Sequence, residues 1–305
     1  MTQQTLKQIA ELALSNGCEL CENACLKDYT SFKTGGSCPL IITPKTVEAL
    51  CKVTAALENG GIRYTALGNG SNMLALDEGF DGVIIRIADG LTDIHLVGEN
   101  EIFCGAGVKL ARLCNFALEN SLSGLEFAFG IPGSCGGAVY MNAGAYGGEI
   151  KDVLVEAYHI KKATGETGSF TLEEAALGYR RSAYNSDEFI ITGALFRLKK
   201  ADKAEIKARM DDLIGRRKEK QPLDYPSAGS TFKRPEGYFA GGLIEECGLK
   251  GCAVGGAEVS TKHAGFVINK GGATAADVLG LIEHIRSTVL EQKGVLLEPE
   301  VKILR

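Results

Sequence analysis

Two short glycine-rich stretches have the residue types that hold an anion. In "LGNGSNML" (67–74) the residues Gly68, Asn69, Gly70, Ser71 and Asn72 follow an apolar run. Successive backbone N–H groups in such a turn can converge on one negative group, with the Ser71 hydroxyl and Asn72 amide as further donors. The same residues also read as a hairpin turn, since Asn-Gly is a strong turn signal. "GIPGSCGG" (130–137) offers the chemistry again through Gly130, Pro132, Gly133, Ser134, Gly136 and Gly137. Two such loops predict two phosphates of one ligand, a pyrophosphate. Neither matches the G-x-G-x-x-G that opens a Rossmann helix, nor the G-K-[ST] of a P-loop. A dinucleotide held in a different way is the expectation.

Seven glycines fall among residues 130–148, yet Val139, Tyr140 and Met141 keep the middle apolar. A linker would be polar, and a strand would exclude so much glycine. The density predicts a backbone that turns sharply and comes close to something.

With 33 Lys and Arg against 38 Asp and Glu, the net charge of −5 argues against general nucleic-acid binding. Cations for an anionic ligand must then be local. Arg180–Arg181, Lys233–Arg234 and Lys262–His263 each flank a Ser or Gly motif. Arg216, Arg217, Lys218 and Lys220 sit on a charged helix and are expected to be solvated. Of ten cysteines, Cys18, Cys21 and Cys25 show a spacing faintly like an iron–sulfur site, but no fourth lies at a usual interval. Their surroundings alternate like a strand, so reduced thiols are expected. The four histidines make no metal pattern, and no metal is predicted.

These groups need elements to position them. The first residues read as an amphipathic helix without the basic start of a signal peptide, and no apolar run approaches the roughly 18 residues of a membrane span. A cytoplasmic protein is expected. A helix is predicted from Thr43–Pro44 to Gly60–Gly61. It is followed by the strands "IRYTALG" and "GVIIRI", forming a βαβ-type unit with a tight loop between the last two strands. "IHLVGENEIFCGAG" reads as a hairpin and "KLARLCNFALENSLSG" as a helix. Thr171 three before Glu174 has capping-box spacing. A long charged helix from Ala201 ends at Pro222. Beyond it lie two helices, a strand near "GFVIN", and a terminal strand "VLLEPEVKILR" on which Glu298 and Glu300 would share a face. The fold class is α+β, two regions joined near residue 200, with the first divisible around Gly105.

"TSFKTGG", "GNGSNML", "GIPGSCGGAVYMNAGAYGGEI", "YRRSAYN", "PSAGSTFKRP", "GGAEVSTKHAGFVIN" and "LEPEVKIL" together resemble, in order, the motifs of the UDP-N-acetylenolpyruvoylglucosamine reductase (UDP-N-acetylmuramate dehydrogenase) family. The resemblance runs from about Tyr29 to Arg305. It looks like the shorter subtype, because no tyrosine-bearing loop fits after "YRRS". The resemblance implies a vanillyl-alcohol-oxidase-type FAD-binding domain of two α/β subdomains and a C-terminal α+β substrate-binding domain. The implied division is an N-terminal helical extension at 1–28, the FAD-binding domain at 29–200 and the substrate-binding domain at 201–305. FAD would be held noncovalently at the two glycine loops, with NADPH as co-substrate and a UDP-sugar as substrate. Neither nucleic acid, membrane nor obligate protein partner is expected.

The implied chemistry is hydride transfer to the enolpyruvyl carbon, which leaves an enolate beside the carboxylate to be stabilised and protonated. By motif position Arg180 stabilises the carboxylate, Ser230 gives the proton, and Glu300 polarises the carboxylate in protonated or proton-sharing form. Arg181, Ser227 and Glu298 are the neighbours that spacing alone does not separate from them. Tyr179, Lys233, Arg234 and His263 fall where substrate contacts would be, with Lys233 also a candidate to support the Ser230 alkoxide. Arg234 stands where the family often has Asn, and His263 where the longer subtype has Gln. A related flavin oxidase or dehydrogenase, or a non-catalytic flavin or nucleotide-sugar binder, would keep the glycine loops without needing this trio.

Overall fold

"GVIIRI" is apolar without alternation, which suits a strand covered on both faces. Val83–Arg86 is such a strand, with Val83, Ile84 and Ile85 fully buried. It pairs in parallel with Ser37–Thr43 on one side (Ile41 opposite Ile84) and Tyr64–Leu67 on the other (Thr65 opposite Ile84). The strand Glu19–Cys25 completes this four-stranded sheet at its edge, as the alternation around Cys21 predicts.

The computed structural model describes residues 3–305, which divide into two units. The first takes in residues up to Glu22, Pro39–Asn69 and Asp81–Gly215. Helix α1 (Gln3–Ser15) packs on α2 (Val47–Asn59). Thr46, not Thr43, caps α2, its side chain accepting from the Ala49 N–H at 3.1 Å. Thr43 belongs instead to the preceding strand, so the helix begins after the predicted Thr43–Pro44 start. The predicted tight loop between the last two strands is also corrected. Parallel strands cannot be joined by a hairpin, and residues 68–82 make a long excursion between Tyr64–Leu67 and Val83–Arg86.

The second sheet of this unit is antiparallel, in the order Thr167–Thr171, Leu154–Lys161, Phe189–Arg197, Glu101–Gly105, Ile94–Val97. Its last two strands are the predicted hairpin. Helices α3 (Leu110–Glu119) and α4 (Cys135–Met141) contribute to the same core, α3 through Leu110, Leu113 and Cys114 and α4 through Cys135 and Val139. Thr171 and Glu174 exchange the expected capping-box bonds, but a turn follows rather than a helix. Helix α5 (Lys203–Lys220) carries the chain from this unit into the second, which begins at Arg216. Arg217 on its last turn is only 8% exposed, contrary to the solvated role expected of that charge run.

The second unit comprises Asn23–Cys38, Gly70–Phe80 and Arg216–Arg305. A three-stranded antiparallel sheet (Ala253–Val254, Ala257–Val259, Val267–Asn269) packs with α6 (Ala240–Glu246) and α7 (Ala275–Lys293) around Ile244, Val259, Leu281 and Ile285. The predicted terminal strand shrinks to Lys302–Leu304, which pairs in parallel with Met73–Ala75. Among the described residues no helix is long and apolar enough to cross a membrane.

The start of α7 shows how the excursion is anchored. Asp77 accepts from the Ala275 and Ala276 N–H groups at 2.8 and 2.9 Å, and Thr274 accepts from Asp277 at 3.0 Å. Three otherwise orphaned donors are thereby satisfied. Backbone N–H groups of Thr274 and Gly256 hold the Asp277 carboxyl below its usual range. Its stabilising effect is present above the ordinary carboxylate pKa and is lost as pH falls through the depressed folded value. Asp77→Ala should cost about 1 kcal/mol, the typical loss of a cap, read as a lower urea midpoint at unchanged slope. An unchanged midpoint would show that Asp77 contributes nothing there.

Candidate active site

The loop after Tyr64–Leu67 is fixed by its own chain. Asn69 Nδ2 donates to the Pro132 carbonyl at 2.6 Å, and a Cβ on Gly68 would lie 2.7 Å from Ser134 Oγ. The two predicted glycine loops are thus in contact at Gly68–Asn69 and Pro132–Ser134. Gly70 has φ 63°, and a Cβ there would sit 2.0 Å from the Tyr29 carbonyl oxygen, so only glycine fits. The backbone N–H groups of Gly68, Asn69, Gly70 and Ser71, and those of Gly133 and Ser134, donate to no protein acceptor among the described residues. The unspent amides of Gly68, Asn69, Gly133 and Ser134, on two touching loops of the first unit, suit the pyrophosphate of FAD, and the residues present fit that group.

The remaining glycines of this region mostly serve the protein. Gly136 donates to the Ala106 carbonyl at 2.9 Å, and a Cβ on it would meet Ala106 Cβ at 2.8 Å. The Gly137 N–H caps onto Ser134 Oγ at 3.5 Å. Val139, Tyr140 and Met141 lie in the short helix α4, which explains their apolar character. Gly144–Ala145 and Gly148–Glu149 pair across Tyr146 (φ 54°) and Gly147 (φ 87°), a two-residue hairpin loop with both centres left-handed. A Cβ on Gly148 would strike the Phe127 ring at 2.7 Å. Sharp turning and close approach are both present, largely toward neighbouring chain.

Arg180 occupies a tight turn. Gly178 and Arg181 bond each other's backbone in both directions (2.9 and 3.2 Å), leaving Tyr179 and Arg180 at the tip. Arg180 has φ 54°, a left-handed backbone that costs a residue with a Cβ about 1–2 kcal/mol. Such strain persists where the surroundings over-determine it, and it concentrates at functional sites. Arg180 is half-buried with its guanidinium 5.0 Å from the centre of the exposed Tyr179 ring, whereas Arg181 is exposed.

In the second unit, Ser230 and Glu300 come from segments joined by an antiparallel bridge, Phe232 to Pro299. The Glu300 N–H donates to the Thr231 carbonyl at 2.8 Å, and Lys233 N–H to the Glu298 carbonyl at 2.9 Å. Asn72, predicted at the cofactor, donates from Nδ2 to the Glu300 carbonyl at 3.1 Å. Glu298 and Glu300 flank the bridged Pro299 ahead of the terminal strand, and they differ in surroundings. Glu298 is largely exposed and pairs with the Lys233 ammonium. Ser227 and Ser230 differ as well: Ser227 Oγ accepts from the Gly229 N–H at 3.4 Å, while Ser230 is exposed next to Gly229 (φ 77°).

Of the other predicted substrate residues, Arg234 lies 4.0 Å from the Phe239 ring centre. Burial lowers the pKa of His263, and its Nδ1 accepts from the Gly265 N–H at 3.1 Å. Its proton is therefore on Nε2. Buried Asn142 escaped the sequence reading; its one signal was an asparagine directly after a helical apolar run, where a left-handed cap belongs.

Residues 38–170 match the family model of an FAD binding domain, and residues 221–304 that of UDP-N-acetylenolpyruvoylglucosamine reductase, C-terminal domain. The UDP-N-acetylenolpyruvoylglucosamine reductase of Syntrophomonas wolfei is 50% identical over 282 residues, 92% of this chain and 94% of that protein. That of Geobacillus kaustophilus is 50% identical over 281 residues, 92% of this chain and 91% of that one. The crystal structure of the Thermus caldophilus reductase superposes with a TM-score of 0.80 at 38% identity, covering 94% of this chain and 99% of that one. Identity at this level over nearly the whole length establishes that the chain belongs to the UDP-N-acetylenolpyruvoylglucosamine reductase family, the FAD-dependent reductases of peptidoglycan precursor synthesis.

Proposed function

We propose that this chain reduces the enolpyruvyl group of UDP-N-acetylenolpyruvoylglucosamine to give UDP-N-acetylmuramate, with Arg180, Ser230 and Glu300 acting on the substrate. Bound FAD supplies the hydride, which it draws from NADPH. The amides of Gly68, Asn69, Gly133 and Ser134 hold its pyrophosphate. Arg180 binds the substrate carboxylate as charge grows on it, Glu300 polarises that carboxylate, and the Ser230 hydroxyl delivers the proton to the adjacent carbon. Tyr179, Arg234 and the His263 Nε2–H contact the UDP-sugar. Lys233, paired with Glu298, acts there too.

The observation that carries this reading is the 2.8 Å bond from Glu300 N–H to the Thr231 carbonyl, which sets the proton-donor segment beside the acid. Strain at Arg180 supports it over Arg181, and the half-buried position of Glu300 against the exposed one of Glu298 supports Glu300 as the acid. The passage from Ser182 through the short turn Ala183–Ser186 into the strand Phe189–Arg197 supports the shorter subtype. In this reading residues 29–200 bind FAD and 201–305 bind substrate, and the enzyme works in the cytoplasm.

Anaerobic stopped-flow absorbance near 450 nm tests it. NADPH should bleach the flavin, and the enolpyruvyl UDP-sugar should then restore the colour rapidly. Bleaching without recovery would reject this substrate and favour a flavin oxidase. A protein that neither holds nor takes up FAD would overturn the cofactor site itself.

A further inference from the structure

The turn that carries Arg180 is moored from outside itself, and the moorings converge on one end of α4. Asn142 closes that helix in the left-handed region (φ 43°, ψ 57°) and is fully buried. Its Nδ2 donates to Glu149 Oε2 at 2.6 Å and to the Gly178 carbonyl at 3.0 Å, while its Oδ1 accepts from the Lys151 N–H at 2.9 Å. The Gly178 carbonyl is also the acceptor that closes the Arg180 turn, from the Arg181 N–H. On the far side of the turn, Ser182 Oγ donates to the Tyr140 carbonyl at 2.8 Å.

We infer that Asn142, oriented by the Glu149 carboxylate, is the positioning residue that holds Arg180 in its reactive pose. The inference rests on the reading that Arg180 acts on the substrate carboxylate. An arginine with a left-handed backbone has a downhill escape, because relaxing the turn removes the strain. Both edges of the turn must be held for the pose to persist. The Asn142 amide holds the leading edge at Gly178, and Ser182 holds the trailing edge. Both N–H groups of the Asn142 amide are spent, one on Glu149 and one on Gly178, so the carboxylate fixes which way the amide faces. A charged acceptor makes that bond a strong one. The other end of α4 begins at Ser134, in the second glycine loop. One short helix therefore ties the Arg180 turn to the segment assigned to the FAD pyrophosphate, and small errors in positioning a catalytic group carry large rate penalties.

Asn142→Gly is the informative variant, because glycine keeps the left-handed cap and removes only the amide. Both half-reactions are followed by stopped flow in the FAD-loaded enzyme. Flavin reduction by NADPH should stay within about twofold, while reoxidation by the enolpyruvyl UDP-sugar should slow by roughly 10–100-fold. In an Arg180→Ala background the same change should have almost no further effect, since the group it positions is gone. Equal slowing of both half-reactions, or a further tenfold loss in the Arg180→Ala background, would overturn the inference. So would reoxidation within twofold of the parent in Asn142→Gly while Arg180→Ala alone is strongly impaired. If Arg180→Ala leaves reoxidation unchanged, the catalytic reading of Arg180 has failed and this inference falls with it. Should Asn142→Gly not fold or not retain FAD, Ser182→Ala frees the other edge and should slow reoxidation alone about threefold or more, judged by the same criteria.

Discussion

Ser230→Ala should leave reduction of the flavin by NADPH nearly intact and slow its reoxidation by substrate on the order of 10²-fold or more. The asymmetry follows from where the hydroxyl works. In the proposed mechanism Ser230 protonates nothing while NADPH reduces the flavin, whereas the substrate half leaves a basic enolate carbon that must take a proton. A hydroxyl is a weak acid, yet such a carbon is basic enough to accept from it when the site is pre-organised. The backbone supplies that organisation: Thr231 N–H donates to the Gly265 carbonyl at 2.9 Å and the Thr231 carbonyl accepts from Glu300. Ser227→Ala is the matched control and should change reoxidation by less than about threefold, because that hydroxyl serves a local turn with Gly229. An equal loss in both half-reactions of Ser230→Ala would remove Ser230 from the proton-donor role.

The second large effect separates chemistry from stability at a single position. Arg180→Ala and Arg180→Gly should both slow reoxidation by about 10²–10³-fold, the scale of losing a pre-organised charge partner. They should differ in stability. Alanine inherits the left-handed backbone at φ 54°, while glycine adopts it freely. Arg180→Gly should therefore be more stable than Arg180→Ala by about 1 kcal/mol, or roughly 2–3 °C in Tm. Identical melting temperatures would show that the backbone stores no strain. Fast reoxidation in either variant would take Arg180 out of the mechanism.

How far the sequence could be read depended on the range of the interactions involved. Helices such as α2 and α7 announce themselves through local apolar periodicity and nearby caps, α3 through its periodicity, and the Ile94–Gly105 hairpin through its short connection. The parallel pairing of Tyr64–Leu67 with Val83–Arg86 left no such mark, since residues 68–82 between them resemble a simple turn. Arg217 was misread because a run of charges averages over the whole helix, while burial depends on which side one residue faces. Motif position could name Glu300 over Glu298, but that Glu300 is half-buried while Glu298 is exposed and paired with Lys233 depends on segments 65 residues apart. Asn142 was out of reach for the same reason. Its amide means little until partners seven, nine and thirty-six residues away are in place.

The pairing of Lys302–Leu304 with Met73–Ala75 bears on how the chain is made. A ribosome adds roughly 5–20 residues per second, so the Met73–Ala75 segment emerges tens of seconds before its partner exists. During that interval its edge has nothing to pair with, and Asn72 lacks the Glu300 carbonyl it finally holds. The contact closes a loop of more than two hundred residues, which is entropically costly and slow. The pairing beside Glu300 therefore cannot form before the last residues of the second unit have been made, and a nascent chain that stops short of Lys302 lacks the strand that completes it.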